Sequence, residues 1–181
     1  VKTVHLVGHS QGFLSGLEFA GARPDRVLSV TAMGTAAAIP VNQALIDTAK
    51  ASSAKAAHMM CNWGFGPSAH IGKSPVPGMQ PIAISRAIMS ANPLAADLQA
   101  CADYLGGPDI ARELTMPSHC ILATDDKMTP LKAGKVLAAH MNAKLTVIDG
   151  AGHMLPLEAP KRTLAALCEF IEHIESQRAA K

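Results

Sequence analysis

Residues 4–17, Val4-His5-Leu6-Val7-Gly8-His9-Ser10-Gln11-Gly12-Phe13-Leu14-Ser15-Gly16-Leu17, constrain this chain more than any other stretch. Val4 to Val7 is a short apolar run rich in β-branched residues, the pattern of a buried strand. It passes directly into Gly8-x-Ser10-x-Gly12, and the residues from Phe13 to Ala22 then read as a helix. A serine placed where a strand turns sharply into a helix is a nucleophile elbow. Bulky residues two before or two after the serine would collide in so tight a turn, which predicts a need for glycine at both 8 and 12. The turn would lift the Ser10 hydroxyl above the sheet edge. It would aim the Gln11 backbone N–H into the same space, as one donor of an oxyanion hole. A glycine-rich turn that merely contains a serine has the same five letters, so the flanking strand and helix carry the argument.

Downstream, Ala22-Arg23-Pro24-Asp25-Arg26 stops the helix, and Val27–Gly34 reads as a second strand. Strand, helix, strand with short connections predicts two parallel neighbours. From residue 35 to 115 the pattern changes to Ala-, Met-, Gly- and Pro-rich sequence without clear strands. There Asn42–Met60 is expected to be one helix, Cys61–Gln80 a loop, and Pro81–Ala91 and Pro93–Leu105 two further helices, the last ended by Gly106-Gly107-Pro108. The sheet pattern returns with strand Ser118–Thr124, helix Leu131–Met141 and strand Lys144–Ile148. A closing helix, Ala159–Ser176, is expected to bury Leu164, Leu167, Cys168, Ile171 and Ile174. The fold class that follows is α/β: a core of residues 1–34 and 116–181, with residues 35–115 inserted as a helical cap.

Composition excludes several classes. With 181 residues, 49% hydrophobic and 17% charged, the chain is long and apolar enough for one sizeable core. A net charge of +2 without blocks of like charge gives no reason to expect a nucleic-acid or membrane partner. No apolar run reaches transmembrane length. The four cysteines, Cys61, Cys101, Cys120 and Cys168, are scattered, which argues for reduced, mostly buried thiols and leans towards a cytoplasmic protein. His58, His70, His119 and His140 have no metal-ligand spacing, and no metal is expected.

Three chemical groups fall after the C-terminal ends of successive strands, the rim where open α/β sheets build their sites. They are Ser10, then Asp125 or Asp126, then His153 in Gly150-Ala151-Gly152-His153-Met154. A serine hydroxyl needs a base within hydrogen-bond reach. Histidine can take the proton and return it to the leaving group, and a carboxylate fixes the tautomer of that histidine.

The order serine, acid, histidine, together with Gly8-His9-Ser10-Gln11-Gly12, Asp126-Lys127-Met128-Thr129-Pro130 and Gly150 to Pro160, resembles the α/β-hydrolase family from its nucleophile strand to its final helix. The resemblance covers the whole chain. It implies Ser10 as nucleophile, His153 as base and Asp126, four residues before a proline, as acid. Ala123 departs from the family's usual glycine three before the acid. The implied activity is hydrolysis of a carboxylic ester or related acyl bond of a small molecule, through an acyl-enzyme and without a cofactor. Acyltransferases, thioesterases, C–C bond hydrolases and cofactor-free perhydrolases share this triad. A non-catalytic binding protein or an inactive fragment is the alternative of another class. The family places four strands before the nucleophile strand and takes its second oxyanion donor from a loop among them. The expectation is therefore a longer natural protein and an exposed apolar edge on the first strand.

The remaining residues have two readings each. His9 lines the substrate pocket or is a spacer packed on neighbouring loops. Trp63, Phe65, Met154, Met59, Met60 and Met89 line an acyl pocket or are ordinary core. Glu158 is expected to cap or anchor the last helix.

Overall fold

The computed structural model describes residues 1–180. Four parallel strands, β1 (Val4–His9), β2 (Val27–Met33), β3 (Ser118–Ala123) and β4 (Lys144–Ile148), lie side by side in chain order. Their register levels the C-terminal ends: His9 faces Met33, Met33 faces Ile121, and Ala123 faces Ile148. Every loop leaving that rim therefore starts at a similar height. Burial follows position in the sheet. All six β3 residues are buried, as expected for a parallel strand covered on both faces. The outer strands are half open, with Val7 of β1 45% exposed.

Helices α1 (Gln11–Ala22) and α8 (Leu131–His140) cover one face, packing Phe13, Leu17 and Leu137 on Val30, Cys120 and Leu122. The other face carries α9 (Leu155–Glu158) and α10 (Pro160–Ala179), which bring Leu155 and Ala166 onto Met33, Ile121 and Ile148. Between β2 and β3 run α2 (Gln43–Ala51), α3 (Ser53–Gly64), α4 (Pro67–His70), α5 (Pro81–Ala91), α6 (Leu94–Asp103) and α7 (Gly107–Glu113). Helices α2, α3 and α6 share an apolar cluster of their own around Ile46, Ala57 and Leu98. In contrast, α7 sets Ala111 into the cluster beneath α1 and α8. No helix among the described residues is long and apolar enough to cross a membrane.

Several local expectations are corrected. The single helix expected over Asn42–Met60 is two, α2 and α3. Ser52 between them is extended (φ −162°, ψ 104°), and its hydroxyl accepts the Lys55 N–H as an N-cap. The loop expected from Cys61 is helical as far as Gly64, and α4 adds one more turn. The diglycine after α6 opens α7 instead of only ending a helix, because the chain must pass within contact of the Ala37 carbonyl, where a side chain on Gly107 would collide. Along α10 the buried stripe is Thr163, Ala166, Phe170 and Ile174, whereas Leu164 is 59% exposed and Cys168 is exposed. Small residues at 163 and 166 allow close approach to the sheet, and that sets the phase of the helix.

Candidate active site

The tight turn forms at Ser10, which has φ 53° and ψ −130°. For a residue with a Cβ this is a strained conformation, costing of order 1–3 kcal/mol, that persists only where the surroundings over-determine it. They do so here. Ser10 N–H donates to the Met33 carbonyl (3.0 Å), and the Ser10 carbonyl accepts both the Phe13 N–H (3.1 Å) and the Thr35 hydroxyl (3.0 Å). A Cβ on Gly8 would lie 2.4 Å from the Phe13 Cα, so glycine is obligatory there. Gly12 is not under the same constraint: a Cβ there meets nothing within 4 Å, because the position opens on the cleft. As the first residue of α1, Gln11 has a backbone N–H with no carbonyl of its own helix to bond.

Asp126 follows β3 and is 5% exposed. Its Oδ1 accepts the Met128 and Thr129 N–H groups (2.9 and 2.8 Å), which curls the loop around the carboxylate. Its Oδ2 accepts the Thr129 hydroxyl (2.8 Å) and His153 Nδ1–H (2.9 Å). Burial is the largest influence on this carboxyl and by itself would raise its pKa. The His153 hydrogen bond and charge, with the Thr129 donors, outweigh it and hold the pKa below the ordinary value. Asp125 points elsewhere and accepts from the Thr124 hydroxyl (3.2 Å).

His153 is 3% exposed, in the loop after β4. With Nδ1 held by Asp126, Nε2 is the nitrogen without a hydrogen-bond partner among the described residues. None of the hydrogen bonds among the described residues joins the Ser10 hydroxyl to it. His9 packs its ring 4.9 Å from that of His153, centroid to centroid, and donates Nε2–H to the His153 carbonyl (2.8 Å). Burial, then the adjacent His153, pushes the His9 pKa down to about 4, so His9 is neutral near pH 7.

A cleft of two lobes meets at Ser10. The first, about 230 Å³, is lined by His9, His153, Met154, Phe65, Met89 and Asp97 among others. The second, about 220 Å³, includes Trp63, Ile39, Val41, Leu45, Lys127 and Thr129. Ser10, Gln11, Met60, Leu98 and Met128 border both. Phe65 is fully buried and Trp63 is 41% exposed, and Met59 packs within the helical layer instead.

The family model described as the alpha/beta hydrolase family matches residues 1–167. The chain belongs to the α/β-hydrolase family. Solved structures agree on this fold. A thermophilic esterase is 26% identical with a TM-score of 0.79, covering 95% of this chain and 67% of its own. An enol-lactonase from Burkholderia xenovorans is 20% identical with a TM-score of 0.82, covering 95% and 66%. A 2-hydroxy-6-oxo-6-phenylhexa-2,4-dienoate hydrolase from Rhodococcus is 22% identical with a TM-score of 0.69, covering 95% and 65%. The chain thus spans about two thirds of the length of these structures. No curated protein sequence matches it.

This α/β-hydrolase chain also uses residues that the sequence did not single out. Thr35 braces the elbow, and Thr129 braces the acid while lying 3.3 Å from His153 Nδ1. Asp-x-x-Thr at 126–129 is a local signal that could have revealed the second; nothing local marks the first. Glu158 does not cap the last helix. Its two oxygens accept the Gly66 N–H (2.8 Å) and the Gly152 N–H (3.1 Å), joining the end of α3 to the histidine loop. Beside it Met154 N–H donates to the Gly64 carbonyl (3.3 Å), and a Cβ on Gly152 would lie 2.5 Å from the Gly66 nitrogen. Burial raises the Glu158 pKa, opposed by these N–H donors.

Proposed function

We propose that this chain is a serine hydrolase that cleaves a carboxylic ester or related acyl bond of a small molecule through an acyl-enzyme. The observation that carries the reading is the buried Asp126–His153 pair, 2.9 Å apart, on the same cleft as a serine held at φ 53°. In this reading Ser10 Oγ attacks the carbonyl carbon while His153 Nε2 takes its proton. The Gln11 N–H donates to the oxyanion of the tetrahedral intermediate. His153 returns the proton to the departing oxygen. A water, deprotonated by the same nitrogen, then releases the acid and restores Ser10. Asp126 keeps the imidazole in one tautomer and stabilises the imidazolium. The serine–histidine hydrogen bond is one that commonly tightens only when substrate is bound. Helices α2–α6 act as a cap that shapes both lobes.

The test is incubation with a fluorophosphonate, followed by intact mass measurement, beside a Ser10→Ala control. One adduct, absent from the control, is the expected result. No adduct on a chain that unfolds cooperatively on heating would overturn the reading and favour a binding role.

A further inference from the structure

The two lobes have similar size but carry charged side chains of opposite sign, and this difference bears on what they bind. In the second lobe the one charged residue is Lys127, which forms no ion pair among the described residues. Two other polar side chains peculiar to that lobe are engaged in hydrogen bonds. Asn42 uses Oδ1 to accept the Ala44 N–H, which leaves its Nδ2 donor to the lobe. The Thr129 hydroxyl donates to Asp126. The donors that this leaves to the lobe include the Lys127 ammonium and the Asn42 amide, set among Ile39, Val41, Leu45 and Trp63. The first lobe has the reverse character: its charged residue outside the histidines is Asp97, a carboxylate.

Orientation follows from the histidine. His153 borders the first lobe and not the second. The oxygen that leaves must receive its proton from His153, so the alcohol departs through the first lobe. The acyl group remains on Ser10 and lies in the second. We infer that the second lobe takes an acyl chain that ends in a carboxylate, held by Lys127 and Asn42, while Asp97 turns the same anion away from the leaving-group lobe. The inference rests on the serine-hydrolase reading for which half of the substrate is acyl. The anion preference of the lobe itself does not depend on it. The substrate class is then the ester of a dicarboxylic acid, esterified at one end.

Trp63 borders this lobe and is the only tryptophan of the chain, so its fluorescence reports occupancy without any turnover. The probes are adipamate and its neutral isostere adipamide, which differ only in the terminal carboxylate. Adipamate is expected to bind about three- to fivefold more tightly at low ionic strength, the range of an ion pair with a solvent-exposed lysine. The advantage is expected to fade as salt is raised towards physiological strength and beyond. Lys127→Glu should reverse the preference and Lys127→Arg should keep it. Equal affinity for the two probes, an advantage that salt does not reduce, a Lys127→Glu variant that keeps it, or no response of Trp63 to either probe would each overturn the inference. A chain that labels at Ser10 but shows no preference sinks this inference alone. One that shows the preference but does not label sinks the hydrolase reading and leaves the anion site standing.

Discussion

Two histidines in this molecule are each held by a carboxylate and lie near a serine, and they are built for different ends. His153 receives Asp126 on Nδ1 at 2.9 Å and opens its other nitrogen to a cleft shared with Ser10. His5 has Ser29 on Nδ1 at 2.8 Å and Glu175 on Nε2 at 3.0 Å, so serine, imidazole and carboxylate are already in line. By distances alone the second set is the more complete. Yet Ser29 lies in the middle of β2 with 0% of its surface exposed, whereas Ser10 stands at a strained turn beside a cavity. The acids are reversed too: Asp126 is buried with four donors, while Glu175 is about half exposed and also shared with Arg178. A hydrogen-bonded row makes a latch between β1, β2 and α10. It becomes a candidate for chemistry only where the serine can be approached and the acid is shielded from water.

The sharpest way to break this comparison is to neutralise each acid. Asp126→Asn is expected to slow fluorophosphonate labelling by about 10⁴, because an amide presents the wrong group to Nδ1. Glu175→Gln is expected to leave the labelling rate unchanged. Equal losses would mean that the two rows are not functionally distinct. Substitutions at the serines should separate them in the opposite sense, by stability. Ser29→Ala leaves the His5 nitrogen without its partner inside the sheet and is expected to cost about 1–3 kcal/mol in urea unfolding. Ser10→Gly relieves a positive φ and is expected to add about 1 kcal/mol while abolishing labelling.

Acid titration tests the burial of two other histidines, of which His9 adjoins the first row and His119 lies in β3 against Phe170. His9 and His119 both have pKa values pushed down to about 4, mainly by burial, against an ordinary 6.5. Between those values the unfolded chain binds more protons than the folded one. Stability is therefore complete above about pH 6.5 and is lost as pH falls towards 4. The urea midpoint should follow that course, and His119→Gln should flatten part of it; a midpoint constant from pH 7 to 4 would contradict the burial. The smallest effect is expected at the exposed end of the latch, where Glu175→Gln should leave the thermal midpoint within experimental error.

What could be read from the sequence was local. The strand, turn and helix at 4–22 and the Asp and His loops announce themselves within a few residues of each other, because tight turns and strand ends demand particular residue types. Helical phase was harder. Along α10 the series 164, 167, 168, 171, 174 and the series 163, 166, 170, 174 both satisfy helical spacing, so periodicity gives the repeat without the face. Only the sheet beneath, which needs small residues for close approach, selects Thr163 and Ala166. The break at Ser52 was hidden for a related reason, since a serine inside a helical pattern can cap as easily as continue. Glu158, Thr35 and the His5 latch were out of reach, since each joins residues distant in the chain.

The hem where Gly64–Gly66 meets Gly152–Met154 is made of backbone and a single carboxylate, that of Glu158. It sits immediately beside the histidine but asks nothing of the side chains that line either lobe. The support of the histidine loop is thereby separated from the surfaces of the lobes. The side chains of the helices between 41 and 103 that face the lobes are expected to tolerate exchange, provided that the glycines of the hem, Glu158 and the contacts of Asp97 and Cys101 with the core are kept. Libraries that vary the lobes but freeze this hem should retain the Asp126–His153 pairing far more often than libraries that do not.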